Sequence, residues 1–101
     1  MAKDPAFLFY YQDFLVGTDS FSNEETGAYV RCLCHQAHKG NISESHIKKI
    51  CSKPKVIETI MKKFVSNGDG ETYYNERLKN EIEARKEYSE SRKKNRQKKQ
   101  L

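Results

Sequence analysis

The chain has no apolar run approaching the ~18–20 residues that a membrane-spanning helix needs, so no membrane partner is expected. Cysteine is scarce. Three in 101 residues is an odd count without framework spacing, which fits free thiols in a reducing, cytoplasmic setting. The apolar start, MAKDPAFLFYYQDFLVG, is short, is broken by Asp13, and lacks both a basic beginning and a small-residue cleavage site; it is not read as a signal peptide. There is no phosphate loop, no Gly-rich dinucleotide motif, no H-E-x-x-H and no nucleophile elbow, so neither an enzyme nor a cofactor is expected. Asp13, Glu24, Glu25 and Glu44 lie near helix starts, where capping accounts for them. Cys32, Cys34, His35 and His38 are metal-friendly types, but one helix cannot converge all four on a zinc ion, and no metal site is assigned. No internal repeat is present.

What the chain does have is charge, unevenly spread. Hydrophobic residues make up 36% and charged residues 33%, which describes one polar-surfaced domain with a modest core. All of the net +5 charge is carried by the last quarter. Residues 1–47 net −3, residues 48–66 net +5 and residues 67–91 net −3. The last ten residues, RKKNRQKKQL, hold six bases and no acid. Such a run repels itself and is expected to stay disordered until it meets an anion, above all nucleic acid.

Along the chain, Pro5 to Phe14 holds five aromatics (Phe7, Phe9, Tyr10, Tyr11, Phe14), read as an arm over the core with a helical turn at 13–16 ending at Gly17. Ser22-Asn23-Glu24-Glu25 is a capping box. The helix it opens runs to about Lys39 and stops at Gly40, with Ala28, Tyr29, Cys32, Leu33 and Ala37 on one buried face. Ser43 caps a short helix to Cys51, with Ile47, Ile50 and Cys51 inward and Lys48 and Lys49 opposite; His46 at its start is read as solvated. Pro54 opens a third helix to about Val65, built on Val56, Ile57, Ile60, Met61 and Phe64. Asn67-Gly68-Asp69-Gly70 is a hairpin turn between strands at 64–66 and 71–74. Asn75 caps a last helix anchored by Leu78 and Ile82, which then leaves the core and frays.

The expected fold is mainly α with a small β-hairpin, a winged helix-turn-helix. The expected parts are an arm (1–21), a winged-helix core (22–75), a C-terminal helix (76–91) and a basic, disordered tail (92–101).

The stretch YYQDFLVGTDSFSNEETGAYVRCLCHQAHKGNI resembles the N-terminal domain of a family of phage and prophage replication proteins, the YdaU-like group. The matching residues are Asp13, Phe14, Leu15, Thr18, Ser22, Glu25, Gly27, Ala28, Tyr29, Arg31, Leu33, Gln36, Gly40 and Ile42, and the closing EYSESRKKNRQKK is similar to the basic linker of relatives. The resemblance implies a winged-helix module of a replication-initiation or helicase-loading system. Relatives are typically longer, so it also implies the N-terminal part of a larger protein or a stand-alone version.

The candidate DNA surface has two zones. Lys55, Thr59, Lys62 and Ser66 line up along the outward side of the third helix, with Lys63 beside them and Lys48, Lys49 and Lys53 flanking. These are phosphate ligands, and no Arg, Asn or Gln stands on the row to read bases. Binding is therefore expected to be backbone-driven, on duplex rather than single strands. In the tail, Arg92, Lys93, Lys94, Arg96, Lys98 and Lys99 neutralise roughly five or six phosphates, for a salt slope of about −5. The acidic wing tip argues against a wing contact. The alternative is an interaction module, in which the aromatic arm forms a homodimer or docks a replication partner and the tail is a linker.

Overall fold

The computed structural model describes the backbone of residues 6–99 and the side chains of residues 6–92. The element order is α1 (Tyr11–Gly17), α2 (Asn23–Lys39), β1 (Ile42–Ser43), α3 (Glu44–Cys51), α4 (Pro54–Met61), β2 (Val65–Ser66), β3 (Thr72–Tyr74) and α5 (Glu76–Lys99). The described chain is mainly helical, with a small antiparallel sheet in the order β1-β3-β2.

Local chemistry sets most boundaries. The Ser22 hydroxyl accepts from the Glu25 N–H at 3.1 Å, and the Ser22 N–H donates to the Glu25 carboxylate at 2.8 Å, which closes the capping box of α2. Gly40 ends α2 at φ 89°, a left-handed conformation that needs no Cβ. Ser43 caps α3 by accepting from the His46 N–H, and Pro54 opens α4 where no N–H is required. The inward faces of these three helices bury Ala28, Cys32, Leu33, Ile47, Cys51, Val56 and Ile60, joined by Ile42, Phe64 and Leu78.

Three elements differ from the sequence reading. Ile42 and Ser43 form a strand as well as a cap, paired with β3 in the register Ile42↔Tyr73 and Ser43↔Thr72. A two-residue strand has no periodicity of its own, so only its partner reveals it. Helix α4 ends at Met61 instead of near Val65. The Lys63 and Phe64 N–H groups donate back to the Ile60 and Met61 carbonyls, which tightens the exit and turns Phe64 into the core. Helix α5 runs to Lys99 instead of ending at Ser91. Its Glu, Lys and Arg content favours helix, and its order, acids first and bases last, runs with the helix dipole.

One buried polar knot joins four elements. Gln36, 1% exposed on α2, donates from its amide to the Asn75 carbonyl at 3.1 Å and accepts from the Asn75 N–H at 2.6 Å. Asn75 in turn caps α5, its side-chain oxygen accepting from the Leu78 N–H at 3.0 Å. Its side-chain amide donates to the Lys63 carbonyl at 2.9 Å and to the Tyr29 hydroxyl at 3.2 Å. Replacing Gln36 with Leu leaves the buried Asn75 N–H without a partner and removes one of the two donors to its carbonyl, which keeps the Lys79 N–H. Gln36→Leu is expected to cost about 2 kcal/mol or more in urea unfolding; a loss under about 0.5 kcal/mol would show that the knot is dispensable.

Candidate nucleic-acid interface

The α3–turn–α4 unit carries the internal basic segment, but its lysines are not equivalent. Lys48 and Lys49 project from the exposed side of α3, and Lys48 sits 3.8 Å from Glu44 one turn earlier. Lys62 is exposed just past the end of α4. These three form the open part of the basic surface.

Of the others, Lys55 is also exposed, whereas Lys53 and Lys63 are drawn into the molecule's own contacts. Lys53 donates to the Glu24 carboxylate at 3.2 Å. Glu25 is held below the usual carboxylate range, first by the Ser22 N–H, then by the Thr59 and Ser22 hydroxyls, with the Lys55 charge adding to them. The acidic first turn of α2 therefore leans over the start of α4, where Lys55 and Thr59 stand. The Thr59 hydroxyl donates its one proton to the Lys55 carbonyl of its own helix. Lys63 is half-buried, with its ammonium 5.6 Å from the Phe21 ring centroid and close to Gly17. Ser66 lies on β2 and accepts from the Gly68 N–H. Because α4 ends at Met61, the expected helical row Lys55, Thr59, Lys62, Ser66 does not exist as a single stripe.

The hairpin tip is closed by Asp69. Its carboxylate accepts from the Glu71 and Thr72 N–H groups at 2.9 and 2.7 Å and from the Thr72 hydroxyl. Gly68 and Gly70 take φ of 85° and 77° on either side. The Thr72 contacts hold the Asp69 carboxyl at about 2, so the tip keeps its negative charge throughout the working pH range.

Arg92 is exposed on α5, its guanidinium 5.8 Å from the Tyr88 ring centroid. The side chains of the other expected tail contacts, Lys93, Lys94, Arg96, Lys98 and Lys99, lie outside the described residues, although Lys93 to Lys99 continue the backbone of α5.

A second constellation lies at the arm and was not visible in the sequence. Asp13 pairs with Arg77, the Tyr10 hydroxyl donates to Glu81 at 3.2 Å, and Arg77 stacks 5.8 Å from the Tyr10 ring centroid. The accepting Glu81 carboxylate holds the Tyr10 hydroxyl above its ordinary value. These residues rim a cavity of about 270 Å³ between the arm and the core, floored by Phe14, Tyr29, Leu33 and Leu78. Asp13 and Arg77 are 64 positions apart, so no local pattern could join them.

Metal-ligating types stay dispersed: among the described residues no three of them converge on one point. Cys32 is buried next to Cys51, and burial pushes its thiol up to about 12. Cys34 is exposed. His46 is not simply solvated, since its ring lies 4.1 Å from that of His35 across the α2–α3 contact. Among the described residues, no helix is long and apolar enough to cross a membrane. No family model matches the chain, and neither a curated protein nor a solved structure matches it.

Asp69 supplies a pH test of the hairpin tip. Its folded value lies below the ordinary 3.8, so its contribution to stability is present above about pH 4 and is lost as the pH falls through about 2. An NMR titration is expected to show the Asp69 carboxyl and the Thr72 amide moving together with a midpoint about 2. A midpoint near the ordinary value would mean that the tip is open.

Proposed function

We propose that this chain is a winged helix-turn-helix module that binds duplex DNA chiefly through its phosphates, as part of a phage or mobile-element replication protein. The observation that carries the reading is the coincidence of the α3–turn–α4 unit with the most basic internal segment of the chain. The order α2-β1-α3-α4-β2-β3, with a three-stranded sheet beside the two short helices, supports the winged-helix assignment. The replication setting rests on the resemblance carried by the segment from Tyr10 to Ile42.

In this reading Lys48, Lys49 and Lys62 make the internal phosphate contacts, and the basic end of α5 makes the rest. Lys53 and Lys63 serve mainly to hold the two ends of α4 against the acidic turn of α2 and against Phe21, and Lys55 stands exposed at the start of α4. Lysines alone confer little sequence preference, because an ammonium is a point charge without the bidentate geometry that reads bases. The wing is a structural turn, since a firmly ionised Asp69 repels phosphate. The glutamates of α5 that precede its basic end (Glu76, Glu81, Glu83, Glu87, Glu90) compete with phosphate for it at low salt. A second reading, an interaction module with the tail as linker, is favoured by one specific observation: Phe9, Tyr10 and Tyr11 of the arm are exposed.

Fluorescence anisotropy with labelled duplex and single-stranded DNA over a salt series tests the DNA reading. The triple variant Lys48→Ala, Lys49→Ala, Lys62→Ala is expected to weaken duplex binding and to make the salt slope shallower by about 3. Lys53→Ala is expected to change the slope little, because Lys53 already pairs with Glu24. Absence of duplex binding by the unaltered chain at low salt would overturn the proposal.

A further inference from the structure

We infer that the outward face of the arm and α1 is a self-association surface whose occupant is the same face of a second copy of this chain. The inference rests on that face and not on the DNA reading.

Helix α1 is amphipathic in an unusual sense. Its inner side docks through Phe14, whose ring stacks on Tyr29 at 5.7 Å, and through Thr18, which is buried and caps the helix end by donating to the Phe14 carbonyl. Its outer side should then be polar, yet it presents Tyr11 and Leu15 at 64% exposure and Val16 at 80%. The preceding arm adds Leu8, Phe9 and Tyr10, each about half exposed. Six large apolar side chains thus face solvent within the nine residues from Leu8 to Val16. Scattered exposed apolar residues are ordinary, but a concentration of this kind marks an interface.

Two observations select a second copy as the occupant. The first is area. With whole aromatic side chains covering ~150–250 Å², these exposures leave on the order of 600 Å² per copy, so an isologous pair buries about 1,200 Å², the lower bound of stable specific interfaces. The second is charge. The one charged residue from Leu8 to Val16 is Asp13, and it is already neutralised by Arg77. Glu81 at the rim is likewise engaged by Tyr10. A like copy meets no unpaired charge from the Leu8–Val16 segment itself, with Glu81 left at the rim, whereas most of the remaining surface is dense in charge. The two-fold arrangement needs only that one patch be complementary to itself.

Sedimentation equilibrium of the full chain, without DNA, tests this. The expected result is a monomer–dimer equilibrium in the micromolar range that persists in ~1 M salt, as burial of apolar surface requires. Leu15→Glu places a charge at the centre of the face and is expected to weaken the dimer at least ~100-fold. Because Leu15 is exposed, the melting temperature of the dilute monomer should not change, which separates lost association from lost folding. Val16→Glu serves as a second variant with the same expectation. A monomer at every concentration would overturn the inference and leave the face to a different occupant. So would a dimer that dissolves in high salt, or one that survives both variants.

Discussion

The Gln36 side chain does for the backbone of Asn75 what a neighbouring strand would do: it accepts from the N–H and donates to the C=O of the same residue. That residue lies where β3 ends and α5 begins, and it is buried. Its carbonyl also accepts from the Lys79 N–H, but its N–H has Gln36 as its partner, and leaving that buried donor unpaired would cost more than a typical hydrogen bond contributes. Asn75 passes the constraint on, capping α5 and holding the exit of α4 through the Lys63 carbonyl and the ring of Tyr29 through its hydroxyl. The sheet, the last two helices and the aromatic column that seats the arm are therefore positioned from one pair of side chains.

That column runs from Phe64 through Tyr29 to Phe14 and Phe9. It brings the arm down on one side of the core while α3 and the end of α4 present lysines elsewhere. The two faces differ in chemistry. One is apolar, its Asp13 paired with Arg77; the other is cationic with Lys48, Lys49 and Lys62 exposed. The acidic turn of α2 engages Lys53 and leaves Lys49, Lys55 and Lys62 exposed. The proposed association face and the proposed phosphate contacts use different residues and do not compete for them.

Much of the helical framework could be read from the chain, because each signal is local. The Ser22 and Ser43 caps, the stop at Gly40, Pro54 at the start of α4 and the glycines of the hairpin each act within four residues. The buried face of α2 followed its spacing, except for Gln36, a polar residue whose burial depends on Asn75, 39 positions away. Strand β1 escaped detection for the same reason, since its partner lies around residue 73. The basic segment was legible as composition, yet its division into free and engaged lysines was not. Lys53 with Glu24 is a tertiary contact, and the row on α4 assumed a helix longer than the one that forms. The arm was legible as an aromatic cluster, but which rings face inward depends on Phe14 finding Tyr29.

Native-state hydrogen exchange at the Asn75 amide tests the central claim most directly. If Gln36 anchors the junction, this N–H exchanges only when the whole domain opens, with protection matching that of core amides such as Ile47 and Ile60, even though Asn75 lies outside every strand and helix. Exchange at the rate of an exposed loop, with the core amides still protected, would contradict the account.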